Sequence, residues 1–220
     1  MAERLFAERG YDATSLRAVT GEAEVNLAAV HYHFGGKQKL FQAVFERRVA
    51  AINRERIDRL DELEASSGVE APPLDEVLRA FLGPPLRRLR HPDDGERRIL
   101  QIIGRLQSST GEHAQALRDV FRGVQERFFP AFHRALPHLS QEDLFWRFHF
   151  LIGAMCSFLA DPVRIQLLSG GVCDTEEAEP ALAHLLAFAS GGLRGASVGR
   201  RDSSASGAAP ERPAGREARP

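Results

Sequence analysis

From Lys37 to about Glu64 the apolar residues Leu40, Phe41, Val44, Phe45, Val49, Ile52, Leu60 and Leu63 recur at helical spacings, with no glycine or proline among them. Such a run is satisfied by one long amphipathic helix, because a strand would need alternation of period two. That alternation is nowhere sustained in the 220 residues. The fold class expected is therefore all-α, with this helix physically connecting the N-terminal segment to the rest of the chain.

The N-terminal segment reads as a small reading head. Asn26 is a good N-cap, so a short helix starts at Leu27 and is stopped by Gly35-Gly36. Helical spacing turns Leu27, Val30 and Phe34 inward and leaves Ala28, Ala29, His31, Tyr32 and His33 on or near the outer side. Small residues at the start of that surface allow close entry into a major groove, and ring donors at its edge suit phosphates. Lys37 opens the long helix, where a cation and free N–H groups also suit a phosphate. Upstream, Thr14-Ser15 can cap a further helix with Leu16, Val19 and Ala23 on its buried side, and Gly10 turns the chain after a first helix ending near Arg9. The order helix, turn, helix, turn, helix is a helix-turn-helix followed by a long helix. The positions expected at the DNA are Arg17, Asn26, Leu27, Ala28, Ala29, His31, Tyr32, His33 and Lys37, with Asn26, Ala28, Ala29 and His31 toward base edges and Tyr32 and Lys37 toward phosphates.

At these residues the sequence resembles the TetR/AcrR family of transcriptional regulators. The matching run is Leu5-Phe6-Ala7-Glu8-Arg9-Gly10-Tyr11-Asp12-Ala13-Thr14-Ser15-Leu16-Arg17, then Val25-Asn26, Tyr32-His33-Phe34, Lys37 and Leu40-Phe41. Two departures stand out. Glu24 occupies the inter-helix turn where the family usually has glycine, and a non-glycine at positive φ costs about 1 kcal/mol there. The first helix, beginning at Met1-Ala2-Glu3-Arg4, lacks about two turns that the family normally has, so residues 1–36 are expected to open locally below global unfolding.

Bulk charge narrows the mode of DNA binding. The formal net charge is −1 and the pI near 6.7, and residues 1–48 hold seven Lys/Arg against six Asp/Glu. Affinity must then come from placed contacts and from dimerisation. No run approaches a membrane span, no signal-peptide pattern opens the chain, and Cys156 and Cys173 lack a CxxC partner. The compartment expected is the cytoplasm, with no membrane.

Beyond the long helix, Ala65 to Pro73 reads as a linker, and Gly83-Pro84-Pro85 is expected to kink or end a helix that starts at Leu74. A turn at 91–95 and helices near 96–108, 112–136 (bent at Pro130), 141–160 (capped by Ser140) and 176–193 complete a bundle. The organisation expected is residues 1–46 as DNA-binding head, 47–195 as effector-binding and dimerisation domain, and 196–220 as a disordered tail of Gly, Ser, Ala, Pro and Arg. The run Phe145-Trp146-Arg147-Phe148-His149-Phe150 cannot face one core, so its helix is expected to be buried on two sides, either as a central helix of the body or with one side against a partner subunit, the reading that the family resemblance favours. The family resemblance implies a homodimer through the last two helices.

The inward stripes of four helices place Phe81, Ile103, Phe121, Phe128, Phe148 and Ile152 around a candidate effector cavity, with Arg105 and Arg147 as candidates for a polar head group. Val25 to Val30, Leu144 to Phe150 and Leu151-Ile152-Gly153-Ala154 resemble the fatty-acid-responsive PsrA-like branch of the family. This implies a small apolar effector, with a fatty acid or acyl-CoA as the suggested class. Catalysis is disfavoured, since no Ser/His/Asp or Cys/His grouping stands out. No cofactor or metal is expected: His31 and His33 lie about 160° apart around a helix and cannot share an ion. The function expected is a homodimeric repressor released from a palindromic operator by its effector. The alternatives are a constitutive or architectural DNA-binding protein and, from another class, an all-α enzyme or protein-interaction module.

Overall fold

Local sequence signals decide where the helices stop, and long-range burial decides how they lie. The computed structural model of the chain describes residues 1–89, 94–106, 112–175 and 177–197, and among these every regular element is a helix. The head comprises α1 (Ala2–Ala13), α2 (Leu16–Glu22), α3 (Leu27–Phe34) and the start of α4 (Lys37–Ser67). The body adds α5 (Leu74–Arg88), α6 (Asp94–Leu106), α7 (Glu112–Ala135), α8 (Gln141–Ala160), α9 (Val163–Leu168) and α10 (Ala178–Arg194). The expected turn at 91–95 begins outside the described residues, as do residues 198–220 of the expected tail and the side chain of Arg105.

In the head, Gly10 leaves the helical region at φ 78°, which breaks α1 where the sequence places a turn. Thr14 then locks the corner: fully buried, its hydroxyl donates toward the carbonyls of Leu5 (3.1 Å) and Gly10 (2.7 Å). Ser15 accepts from the Ala18 N–H and caps α2. Leu5, Phe6, Val19, Val30, Leu40, Phe41 and Phe45 form the core beneath. Its rings interlock, with Phe41 against Phe6 (5.1 Å), Tyr11 (4.9 Å) and Phe45 (4.2 Å).

α4 leaves this head and enters the body, where α5 and α7 pack on its far half. Its 31 residues span about 46 Å at 1.5 Å per residue. Arg127 and Arg134 of α7 pair with Glu64, and Arg127 also pairs with Asp61 at 2.6 Å. The Arg127 hydrogen bond foremost, with the positive charge of both arginines, holds the Glu64 carboxyl below its ordinary range, and the Glu64 hydrogen bond in turn raises the Arg127 guanidinium, with Asp61 adding to it. The centre of the body is aromatic: Phe81 lies 5.1 Å from Phe128 and 5.5 Å from Phe148, and Phe132 lies 5.6 Å from Phe148.

Of the expected kink or stop at the prolines of α5, the stop is not found, because the helix continues through Pro84 and Pro85 to Arg88. Pro85 has no N–H to give the carbonyl four residues back, that of Phe81. The Arg56 Nε–H, from α4, donates to that oxygen instead at 2.7 Å. Burial of the whole segment from Ala80 to Leu86 holds the helix together around the lost bonds.

α6 lies on α8 with almost no space between the backbones. A methyl group at Gly104 would come within 2.5 Å of the Cys156 carbonyl and the Ala160 nitrogen, so no side chain fits there. α6 also touches α1, giving the head a second attachment to the body besides α4. α9 is not anticipated by the sequence reading. It has six residues and no buried side chain, too short a run for helical periodicity to be read from its apolar residues. α8, by contrast, is long and apolar enough to cross a membrane, with mean hydropathy 1.2, contrary to the expectation that no run approaches that length. Here it is the central helix of the body, with Leu144, Phe148, Leu151, Met155 and Leu159 buried.

Candidate nucleic-acid interface

α3 is held so that one face is bare. The Asn26 carboxamide accepts from the Ala28 N–H at 2.8 Å, fixing the start. Gly35, at φ 74°, ends the helix in the left-handed conformation that costs glycine nothing. Val30 is buried, and Leu27 and Phe34 are half-buried. At 100° per residue these three fall within about 60° of arc. Asn26, Ala28, Ala29, His31, Tyr32 and His33 are all exposed on the remainder, Tyr32 at 87%. Arg17 is exposed on α2. The small side chains of Ala28 and Ala29 make the first turn of α3 smooth, and the Tyr32 and His33 rings stand edge to face at 5.3 Å near its end.

Two neighbours set the pose of this face. Lys37 is half-buried, and its ammonium donates to the Asp12 carbonyl at 3.3 Å and sits 4.2 Å from the centre of the Tyr11 ring. It thereby ties the start of α4 to the corner between α1 and α2. Two of its three N–H bonds stay available, so this tie does not remove its capacity for an anion. Glu24 sits at φ 53°, the strained conformation expected of a non-glycine in the turn between α2 and α3.

The residues expected around an effector have separate fates. Phe81, Phe128, Phe148 and Ile103 are buried, and Phe121 and Ile152 are partly buried against the core. The three phenylalanines pack ring on ring. The cavities among the described residues lie elsewhere. One of about 850 Å³ runs between α8, α9 and α10, bordered by Phe158, Ile165, Leu168, Val172, His184 and Leu185. Another of about 420 Å³ is bordered by Leu86, Leu89, Arg97, Gln101, Phe158 and Val163. Arg147 is engaged at the end of α10, donating to the carbonyls of Leu193 (2.8 Å), Gly195 (2.7 Å), Gly192 and Ala196. It serves there as a C-terminal cap, where a cation meets the negative end of the helix dipole.

Among the described residues, the cation that faces the aromatic cluster is Arg56, which the sequence reading passed over. It is only 2% exposed, stands with its guanidinium 4.6 Å from the Phe81 ring, and donates to the Phe81 carbonyl. Burial pushes its pKa down to about 10, so it remains charged at neutral pH. A signal for it existed. Val49, Ile52, Leu60 and Leu63 leave a gap in the inward stripe of α4, and Arg56 stands in that gap at helical spacing. The neighbouring Cys156 thiol, raised to about 11 by burial, is neutral there.

The outward face of α8 is open in the single chain: Phe145, Trp146 (58% exposed), His149 and Phe150 all reach solvent, and Trp146 stacks on Phe150. Phe188 of α10 is 69% exposed.

Two family models match the chain. One, described as bacterial regulatory proteins, tetR family, covers residues 1–44, and one described as tetracyclin repressor-like, C-terminal domain, covers residues 79–192. The HTH-type transcriptional repressor AcnR of Corynebacterium efficiens is 34% identical over 86 residues, which is 39% of this chain and 39% of that relative. The match thus spans about two fifths of that relative's length. Among solved structures, the fatty acid degradation regulator FadR of Bacillus halodurans superposes with a TM-score of 0.55 at 17% identity, over 84% of this chain and 94% of that one. A regulatory protein in the tetR family from Rhodococcus RHA1 superposes with a TM-score of 0.50 at 17% identity, over 86% and 92%. At such identities the likeness is one of fold.

Proposed function

The chain belongs to the TetR family of bacterial regulatory proteins, and from that premise we propose that it is a cytoplasmic, homodimeric transcriptional repressor that a small apolar effector releases from a palindromic operator. One observation carries the reading: the exposed face of α3, smooth at Ala28 and Ala29 and ringed at Tyr32 and His33, stands at the end of a helix that runs unbroken into the body. Such a face fits a major groove, with Asn26, Ala28, Ala29 and His31 toward base edges, Leu27 flanking them at the first turn, and Arg17, Tyr32, His33 and Lys37 toward phosphates. The near-neutral head cannot hold DNA by bulk charge, so two heads on one duplex supply the affinity.

The pairing surface in this reading is the aromatic face of α8 with Phe188 of α10. Exposed rings of this size on adjacent helices are the usual core of a subunit interface. Half-sites one helical turn apart, about 34 Å, leave the two heads little freedom of spacing. An effector that opens the cluster of Phe81, Phe128 and Phe148, with Ile103, Phe121 and Ile152 around it, would tilt α4 and change that spacing. A coupling of about 1–3 kcal/mol releases DNA roughly 5- to 150-fold. The relative named as a transcriptional repressor supports the same class of activity.

The test is selection of bound duplexes from a random pool, followed by anisotropy titration of the enriched site. The expected product is an inverted repeat bound by a dimer, and Ala28→Leu should lose it while its helical circular dichroism stays intact. A leucine variant that binds the site normally would refute the placement of α3 in the groove.

A further inference from the structure

Among the described residues, Arg56 is a buried charge without a counter-ion. Other arginines of the chain meet acids: Arg48 meets Glu3, Arg59 meets Glu55, Arg127 meets Asp61 and Glu64, and Arg194 meets Asp75. Arg56, the most buried of them, meets none among the described residues. Its Nε edge is spoken for by the Phe81 carbonyl that Pro85 leaves free. A neutral donor would serve that oxygen equally well, so the bond accounts for the hydrogen and not for the charge.

The other edge of the guanidinium is poorly served. One terminal nitrogen lies 3.4 Å from the Asn53 carboxamide oxygen, and the other 3.5 Å from the sulfur of Met155. A thioether is a weak acceptor and carries no charge. This edge is the planar pair of N–H groups that a carboxylate matches with two parallel hydrogen bonds. Around it stand the Phe81 ring and, behind that, Phe128 and Phe148. A fixed cation at the wall of an apolar cluster is complementary to a molecule with one anionic end and a hydrocarbon body.

We propose that Arg56 anchors the carboxylate of a free carboxylic-acid amphiphile whose hydrocarbon part enters among Phe81, Phe128 and Phe148. The inference rests on the effector reading above and narrows it, favouring a free acid over its esters and thioesters. Met155 and the Asn53 carboxamide must both yield, since they occupy the places of the two carboxylate oxygens, and the unbranched Met155 thioether adapts readily. The liganded body therefore differs in shape from the one described here, which is the condition for a ligand to shift a conformational balance. Arg56 lies on α4 itself, about 28 Å along the helix from Lys37. A pull on its guanidinium thus acts directly on the helix that carries the reading head.

The experiment uses the full chain with decanoate, methyl decanoate and decanoyl-CoA, following direct binding by calorimetry and operator release by anisotropy. Decanoate should bind on the order of a hundredfold more tightly than methyl decanoate, the difference expected when a buried cation gains or lacks its partner. In Arg56→Met that preference should fall to near unity while the ester binds as before. Arg56→Lys, which keeps the charge and loses the fork, should retain a smaller preference for the acid and serves if the methionine variant does not fold. Equal binding of acid and ester by the unaltered chain, or an acid preference that survives in Arg56→Met, would overturn the anchor. Release of the operator by ester and acid alike would overturn the anchor yet leave the effector reading standing. A failure of all three compounds both to bind and to release DNA would remove both.

Discussion

The head and the body are stabilised by different means. The head is specified largely by short-range devices: the Thr14 hydroxyl on two carbonyls, the Ser15 and Asn26 caps and the left-handed Gly35, joined by one longer tie from Lys37 to Asp12. The body has fewer such signals and relies on large buried surfaces, with Phe81, Phe128 and Phe132 almost wholly enclosed. The residues with which the head would act are therefore outside, on α3, and those with which the body would act are inside. A surface that must meet DNA tolerates rigid local geometry. An interior that must admit a ligand needs packing that can be rearranged at modest cost.

The largest test of this contrast removes a ring from each side. Phe41→Ala, in the head, and Phe128→Ala, in the body, should each cost about 3–5 kcal/mol. The head variant should lose protection from hydrogen exchange only within residues 1–46, whereas the body variant should weaken the whole chain. Trp146, the only tryptophan, lies in the body, so its fluorescence should stay silent when the head opens. A fluorescence transition that moves equally in both variants would mean that head and body unfold as one unit.

A smaller effect isolates the polar devices. Thr14→Val keeps the shape and removes the donor from the buried Leu5 carbonyl and the part-buried Gly10 carbonyl, at a cost of about 1–3 kcal/mol. Urea denaturation should show this loss, and an unchanged midpoint would demote the corner to a geometric accident. Glu24→Gly should act in the opposite sense, relieving the positive φ and stabilising the head by up to about 1 kcal/mol. Differential scanning calorimetry should then show a higher melting temperature, and a lower one would argue that Glu24 has a compensating partner.

The smallest expected effect lies where α4 meets α7. Glu64 has a lowered pKa in the folded chain, so its stabilisation is complete above the unfolded carboxyl value near 4.3 and fades as the pH falls through the lower folded value. Glu64→Gln should therefore cost about 0.2–1 kcal/mol at pH 7 and nearly nothing at pH 2. Paired denaturation curves at the two pH values measure it. A cost that persists in acid would mean that the glutamate packs rather than pairs.

The same division governs what the sequence could disclose. Asn26, Gly35 and Ser140 announce their helix ends within three or four residues, so the head and the start of α8 were legible directly. The bare face of α3 followed from the spacing of Leu27, Val30 and Phe34. The body was legible only as a set of inward stripes, because the same stripe serves a packed core and a cavity wall. Ring packing of Phe81 against Phe128 depends on how α5 crosses α7, which no local pattern encodes. The engagement of Arg147 was illegible for a related reason, since its carbonyl partners lie some 45 residues away at the end of α10. Continuation of α5 through Pro84-Pro85 also depends on distant help, in the form of Arg56 and the burial around it.

Gly104 gives the connection between head and body its kinematics. With the α6 and α8 backbones touching there, the two helices move as a single strut, and α6 meets the head at α1 while α4 joins it covalently. A platform carried on two struts cannot swing freely. It can rock about the line between its supports, or translate if both struts shift together. Any volume gained inside the body must then be taken up on the side of α4, α5 and α7, because the seam between α6 and α8 has no slack to give. A wider residue at position 104 would have to part the two backbones, so the seam holds its setting only with glycine there.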